Sequence, residues 1–176
     1  PPAFYEFVAD KPELSGERVG QMRFFTLAQI NQLRRLRGQS PRDRYGIERA
    51  FCLAIANFKG GVAKTFTAST FAQYLALRGW RVLLVDLDPQ ASLSTTFGLN
   101  SSNTSDWNTM LPYMYGREFI ESDNQEFPKS FREVVLKTYW DNIDLVAATL
   151  NLYSGDFYLA LRRQQSENEF PFHRPI

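Results

Sequence analysis

Residues 51–65 read FCLAIANFKGGVAKT, in which an uninterrupted apolar run passes into a glycine turn and then into a lysine and a threonine. Apolar runs of this length without alternation are typical of parallel strands buried on both faces. From Thr65 onward, apolar side chains recur at helical spacing until Gly79, where a helix would end. Four apolar residues and Asp86 make residues 82–86 a second predicted strand, so residues 51–86 predict a β-α-β unit and an α/β fold.

The glycine turn contains the residue types of a phosphate-binding loop. Adjacent Gly60 and Gly61 allow backbone N–H groups to fold around phosphate oxygens, and a helix N-terminus adds partial positive charge. Lys64 can reach the β- and γ-phosphates, and the Thr65 hydroxyl can bind Mg²⁺. The alternative is a plain strand-to-helix turn that holds lysines. The position between an apolar strand and an amphipathic helix favours nucleotide phosphate binding.

Two carboxylates, Asp86 and Asp88, come at the end of the second apolar run. Doubly wound folds place ligands outside the carboxyl ends of their strands, where a carboxylate can meet Mg²⁺ or a water molecule. The alternative is that both carboxylates cap the next helix.

These two segments together resemble the ParA/MinD family of P-loop ATPases. Lys59 lies five residues before Lys64 in the pattern K-G-G-x-x-K-T, which is similar to the family's deviant Walker A motif. Residues 85–90 are similar to its V-D-x-D-P-Q motif. The chain departs from the family at Ala63, where glycine is usual, and at Phe66, where threonine is usual.

The resemblance implies an ATPase that uses ATP and Mg²⁺, with a parallel sheet flanked by helices. It implies catalytic roles for Lys59, which would cross to the nucleotide of a partner subunit, for Lys64, and for Asp88, which would orient the attacking water. It implies a metal site at Thr65 and Asp86. The nucleotide-binding residues that it implies are Lys59, Gly60, Gly61, Val62, Ala63, Lys64, Thr65 and Phe66.

The N-terminal part predicts a separate small region over residues 1–49, followed by an ATPase part over residues 50–176. Thr26 and Gln29 form a capping box, and apolar residues at helical spacing follow as far as Gly38. Residues 38–49 read as a polar linker. The chain is similar to large ParA and RepA partition proteins in this short helix, in the arginines at positions 34, 35 and 37, and in the motifs that follow. The resemblance implies a helix-turn-helix within residues 1–49.

The resemblance implies a DNA partition ATPase that forms an ATP-dependent homodimer, with a ParB-type partner, nonspecific DNA and operator DNA as its binding partners. Two alternatives stay open. One is a non-hydrolysing DNA-binding replication or partition regulator, and the other is a MinD-like membrane-associated ATPase.

Composition excludes several other classes of protein. The chain is 44% hydrophobic and 22% charged, which excludes a disordered chain. Cys52 and His173 are the only cysteine and histidine, so a zinc cluster, an internal disulfide and a Ser-His-Asp triad are all poor hypotheses. No apolar run reaches the length of a membrane helix, which predicts a cytoplasmic protein. Residues 1–50 carry nine basic and six acidic side chains, so the N-terminal part is the basic end of the chain.

The C-terminal half is less regular. Residues 98–130 read as a polar stretch with a short helical segment near 106–115, and residues 131–136 as a brief helix or strand. A third core strand is expected at 143–147 and a helix at 151–163. No Asp-x-Pro-Pro element of the Walker B type follows residue 147, so the chain is expected to be a piece of a longer protein.

Overall fold

The computed structural model describes residues 2–47, 49–100, 104–116 and 127–165. His173 and residues 117–126 of the polar stretch therefore lie outside the described residues. The N-terminal region contains helix α1 (Pro2–Ala9), a 3₁₀ turn (Pro12–Leu14) and an antiparallel hairpin of β1 (Glu17–Val19) and β2 (Met22–Phe24). Its small core is formed by Val8, Leu14 and Leu33, with three phenylalanines packed around them: Phe4, Phe7 and Phe25.

Helix α2 (Leu27–Leu36) confirms the helix predicted from the capping box. Thr26 Oγ1 accepts a hydrogen bond from Gln29 N at 3.2 Å, and Gln29 Oε1 accepts one from Thr26 N at 2.9 Å. Two of the four unpaired N–H groups at the helix start are satisfied in this way. The helix ends before Gly38, which has a φ of +61°.

The predicted polar linker is partly wrong, because helix α3 (Pro41–Tyr45) lies within it. Ser40 and Asp43 form a second capping box, in which Ser40 Oγ accepts from Asp43 N at 3.4 Å. Pro41 occupies the first turn, where its fixed φ suits a helix and its missing N–H is not needed. Gly46 then ends the helix in the left-handed conformation.

The main sheet has three strands in the order β3 (Val82–Val85), β5 (Ile143–Val146) and β4 (Leu136–Lys137). The β3 and β5 strands are parallel, with Val82 opposite Ile143, and β4 is antiparallel to β5. The two strands predicted near 82–86 and 143–147 are confirmed, and so is the α/β class. Helix α4 (Lys64–Leu77) covers one face through Ala72 and Ala76. The remaining buried members of this core are Leu93, Phe97, Ile143, Leu145 and Ala147.

The predicted strand at residues 51–56 is not formed, and that prediction was wrong. These residues are irregular and exposed, with Phe51 60% and Leu53 59% accessible. A buried strand needs hydrogen-bond partners for its N–H and C=O groups. In the described part of the chain β3 pairs with β5 alone, and no strand pairs with residues 51–56.

The segment predicted as a short helix near 106–115 is divided in two. A 3₁₀ turn (Asp106–Asn108) precedes helix α6 (Leu111–Tyr115), and helix α5 (Ser92–Thr96) lies before both. Residues 131–136 form a 3₁₀ turn (Phe131–Val134) that leads into β4. Helix α7 (Leu152–Gln165) confirms the last predicted helix. Gly155 lets it approach α6, because a Cβ there would lie 2.9 Å from Leu111 Cδ1.

Hydrogen bonds join both ends of helix α2 to residues of the region that contains the main sheet. At its N-terminus, Ala28 N donates to Asp141 Oδ2 at 3.0 Å, where a carboxylate interacts favourably with the helix dipole. Near its C-terminus, Arg34 Nη1 donates to Leu77 O at 2.8 Å and to Asn31 Oδ1 at 2.8 Å. The N-terminal region therefore contacts the C-terminal end of α4. No helix among the described residues is long and apolar enough to span a bilayer.

Tyr113 in α6 gives a prediction about alkaline pH. Its hydroxyl is buried and has no hydrogen-bond partner in the described part of the chain, and desolvation, with a smaller contribution from Glu133, raises the pKa of Tyr113 above its usual 10.0. The unfolded chain therefore loses this proton first, so stability falls as pH rises from 10.0 through the folded-state pKa. We expect Tyr113→Phe to remove this loss and to change the stability at neutral pH by less than about 1 kcal/mol. Urea unfolding of both proteins at neutral and alkaline pH measures the difference, and identical alkaline losses would contradict it.

Candidate functional site

The glycine turn forms a tight loop directly before α4. Lys59 N donates to Asn57 Oδ1 at 2.9 Å, Gly61 has a φ of +70°, and Ala63 has a φ of +59°. Left-handed residues that alternate with residues of other backbone conformation are typical of loops whose N–H groups converge on an anion. Among the residues that the structure describes, no side chain caps the N-terminus of α4, so its first N–H groups have no side-chain acceptor there.

The predicted nucleotide-binding residues lie together at this loop and on the first turn of α4. Lys64 and Thr65 begin the helix and are half-buried, whereas Lys59 is exposed. Phe66 is 70% exposed, so its ring is available to a ligand or to another part of the protein. The other predicted residues of the loop are also exposed: Gly60, Gly61, Val62 and Ala63.

Ala63 and Ala91 share a left-handed backbone, with φ values of +59° and +54°. This conformation costs a residue with a Cβ about 1–2 kcal/mol. Ala63 is exposed, whereas Ala91 is 1% exposed and belongs to a core cluster with Leu111, Met114, Ala148 and Leu152. Packing of its methyl group therefore offsets the backbone strain at Ala91, whereas the exposed methyl group of Ala63 does not offset the strain there.

We expect Ala63→Gly to raise the free energy of unfolding by about 1 kcal/mol, because it relieves the strain with little loss of packing. The matched substitution Ala91→Gly relieves the same strain but removes a buried methyl worth about as much, so we expect no gain. Urea midpoints of the two variants and the wild type give the comparison. An equal increase in the free energy of unfolding at both positions would show that burial of the Ala91 methyl group contributes nothing to stability.

Asp86 lies at the carboxyl end of β3 and is 3% exposed. Its Oδ1 accepts from Asp88 N at 3.1 Å, and its Oδ2 accepts from Ser94 N at 2.9 Å and Ser94 Oγ at 2.7 Å. Ser94 Oγ in turn accepts from Ala148 N at 2.9 Å. Asp86 therefore caps the first turn of α5, as the capping alternative expects, and links that turn to the segment after β5.

Asp88 has different surroundings. It is half-buried, its Oδ1 accepts from Gln90 N at 3.0 Å, and its Oδ2 has no hydrogen-bond partner among the described residues. Gln90 is itself held by a hydrogen bond from its Nε2 to the Tyr153 hydroxyl at 3.0 Å. Of the two carboxylates, Asp88 is the one with an oxygen that accepts no hydrogen bond among the described residues, and that oxygen could accept one from a water molecule.

The donor set fits Mg²⁺ that is shared with a nucleotide. Within the described ranges, no group of three or more His, Cys, Asp or Glu side chains could hold a metal by itself. Mg²⁺ commonly takes only one or two protein oxygens and completes its shell with phosphate oxygens and water. Three hydrogen bonds occupy Asp86, and a carboxylate has about four lone-pair sites, so one site of Asp86 accepts no hydrogen bond among the described residues. The hydroxyl of Thr65, on the first turn of α4, is the second oxygen donor of the predicted set.

Sequence reasoning missed Ser94. Its side chain is fully buried and connects Asp86 to Ala148, 54 residues apart from Ser94 in the chain. The only local signal is a serine at the third position of the helix after Asp88, and a serine there is compatible with several other roles.

The chain belongs to the AAA domain family, whose match covers residues 50–172. A protein named replication protein A in Sinorhizobium fredii is 39% identical over 142 residues, which is 80% of this chain and 32% of that protein. The chromosome-partitioning ATPase Soj of Thermus thermophilus is 55% identical over 49 residues, 28% of this chain and 20% of that protein. The chromosome partitioning protein ParA of Caulobacter vibrioides is 33% identical over 114 residues, 65% of this chain and 38% of that protein.

The resemblance to ParA-like P-loop ATPases is thereby confirmed. The chain spans about a third of the length of the curated relatives that it matches over most of its own length. The activity and partners of the whole protein are therefore taken up below as proposals.

Proposed function

We propose that this protein is an ATP-binding and ATP-hydrolysing partition ATPase of the ParA type, which dimerises with ATP and binds DNA and a ParB-type partner. The observation that carries the proposal is the uncapped N-terminus of α4 behind a loop with left-handed residues at Gly61 and Ala63. Such a loop supplies N–H groups to phosphate oxygens, and Lys64 adds a full positive charge at the same place. The named partition relatives support the class of function.

In this proposal each residue has one task. Lys64 neutralises charge on the β- and γ-phosphates, and Lys59, which is exposed, reaches the nucleotide of the partner subunit. Asp88 orients the attacking water through its free Oδ2. Asp86 and Thr65 hold the Mg²⁺ shell, and bound Mg²⁺ would reduce the negative charge that builds up on the phosphate oxygens.

Lys59→Ala tests the dimer. We expect the wild-type protein to sediment as a monomer without nucleotide and as a dimer with Mg-ATP. The variant should stay monomeric while binding ATP with an affinity within about threefold of the wild type, a difference of roughly 0.7 kcal/mol. The matched control is Lys137→Ala, whose lysine is exposed and pairs with Asp144. An ATP-dependent dimer that survives Lys59→Ala would contradict the role of Lys59.

A non-hydrolysing DNA-binding regulator is the second candidate, and the β1–β2 hairpin favours it. Arg18 and Arg23 are directly opposite each other on the two strands, an arrangement of like charges that a bound phosphate would relieve. Arg18 donates to Gly20 O within the hairpin, and Arg23 lies over the Tyr5 ring at 5.3 Å, as Arg37 lies over the Phe7 ring at 5.3 Å. Arg34 donates to Leu77 O. The like-charge pair is therefore the feature that makes the hairpin a candidate DNA contact.

Salt dependence separates the candidates for the DNA contact. If the hairpin binds DNA phosphates, the Arg18→Ala/Arg23→Ala double variant should reduce the slope of log affinity against log salt by about two. An unchanged slope would place the DNA contact elsewhere.

A further inference from the structure

A pocket separate from the phosphate loop lies at the opposite end of α4. Its volume is about 670 Å³, within the usual range of small-molecule sites. It is lined by the end of α2, by α3, by the end of α4 and by Trp80, which lies between α4 and β3. Three arginines and three aromatic residues dominate its walls: Arg34, Arg44, Arg78, Tyr45, Tyr74 and Trp80.

The pocket is cationic, and no acidic residue lines it. Among the described residues, neither Arg44 nor Arg78 forms an ion pair. Each guanidinium instead lies over a tyrosine of the pocket, Arg44 at 5.8 Å from the centroid of Tyr45 and Arg78 at 5.2 Å from that of Tyr74. Two planar donor groups are thus held in place without an anionic partner, which suits recognition of a phosphate.

The end of α4 does not oppose an anion, although helix C-termini carry partial negative charge. Trp80 N donates to Leu75 O at 3.1 Å, and Gly79 N donates to Ala76 O at 3.0 Å. Arg34 donates to Leu77 O. The last carbonyls therefore accept hydrogen bonds, and the charged side chains that line the pocket are all arginines.

The aromatic wall offers flat surfaces to a planar ligand. The rings of Tyr45 and Trp80 are parallel within 5°, with centroids 6.2 Å apart, and the edge of Phe51 meets Trp80 at 6.1 Å. Tyr45 is 61% exposed, so much of its surface is open to contact. Aromatic faces beside arginines are the combination that binds nucleic-acid bases and their phosphates together.

We infer that this pocket is a second nucleotide site, which binds the base of a nucleoside phosphate against Tyr45 or Trp80 and its phosphate on Arg44 and Arg78. It goes beyond the proposed ATPase function, since the 14 residues of α4 place it about 20 Å from the phosphate loop. A free nucleotide and a nucleotide unit of single-stranded DNA carry the same chemistry. Because α4 connects the two sites, the ligand contacts the same helix whose first turn holds Lys64.

Adenosine monophosphate is the probe for this site, because it lacks the β- and γ-phosphates that Lys64 would bind. We expect calorimetry to show saturable binding with a dissociation constant below about 1 mM. Arg44→Ala and Arg78→Ala should each weaken it about tenfold, as loss of one charge-assisted contact would. Lys64→Ala should leave it unchanged, which separates this test from the failure of the ATPase proposal. The matched control is Arg42→Ala, an exposed arginine of α3 outside the pocket wall.

Two further ligands complete the test. Adenosine, which has no phosphate, should bind at least about tenfold more weakly than the monophosphate. If a short oligothymidylate displaces the monophosphate, the ligand of the pocket is a nucleotide unit of single-stranded DNA. If it does not, the ligand is a free nucleotide. No saturable binding of the monophosphate, an equal loss in Arg42→Ala, or equal binding of adenosine would each overturn the inference.

Discussion

Lys64→Ala is expected to weaken ATP binding by about 100-fold, the largest effect on ligand binding in this protein. Lys64 is the first residue of α4, directly behind the left-handed Ala63. Its ammonium group would make charge-assisted contacts to two phosphate groups, which together correspond to roughly 3 kcal/mol. Calorimetric titration of wild-type and variant protein with Mg-ATP measures the difference.

Lys137→Ala is the control for that substitution. Lys137 is an exposed lysine whose partner is Asp144 on the neighbouring strand, and it lies at no ligand-binding loop. We expect its ATP affinity to equal that of the wild type. If Lys64→Ala binds ATP as well as Lys137→Ala does, the loop is the plain strand-to-helix turn that the sequence left open.

Asp86→Ala is expected to lower the free energy of unfolding by about 3 kcal/mol, the largest effect on stability among these substitutions. The carboxylate is buried and accepts bonds from Asp88 N, Ser94 N and Ser94 Oγ. Its removal leaves buried donors of Ser94 unsatisfied, and hydrogen bonds to charged groups are worth roughly 1.5–3 kcal/mol each. Urea unfolding measures the loss.

Asp88→Ala should show the opposite pattern. Its carboxylate is half-buried and, among the described residues, accepts a hydrogen bond only from the Gln90 N–H, so we expect a stability loss below about 1 kcal/mol. Hydrolysis should nevertheless fall by about 100-fold or more, since a positioned general base or water-orienting group typically contributes that much. If Asp88→Ala is the less stable variant, or if it hydrolyses ATP like the wild type, the division of roles between the two carboxylates is wrong.

Features with local causes were predictable from the sequence. The capping box of Thr26 and Gln29 fixes the start of α2 through contacts three residues apart. Gly79 ends α4 as expected, with a φ of +95° and short-range bonds to the last turn. The strands at 82–85 and 143–146 were predicted from their largely apolar sequence, although Asp144 interrupts the second one. In each case the residues that indicate the conformation are neighbours in the chain.

Features that depend on distant partners were not predictable. The apolar run at residues 51–56 shows a tendency to form a strand, but a strand exists only where another strand pairs with it. The hydrogen bonds between Asp86 and Ser94, eight residues away, and between Ser94 and Ala148 were not indicated by any local pattern. The cationic pocket joins Arg44 and Trp80 from separate elements, and no spacing in the sequence indicates it.

Release of phosphate from Mg-ATP, measured side by side for the wild type and Lys64→Ala, decides whether this loop is an ATPase site. We expect slow but saturable turnover by the wild-type protein and turnover at least about 100-fold slower in the variant, because positioning and charge at the loop supply most of the catalysis. Equal phosphate release by the two proteins would contradict the assignment of the loop as the ATPase site.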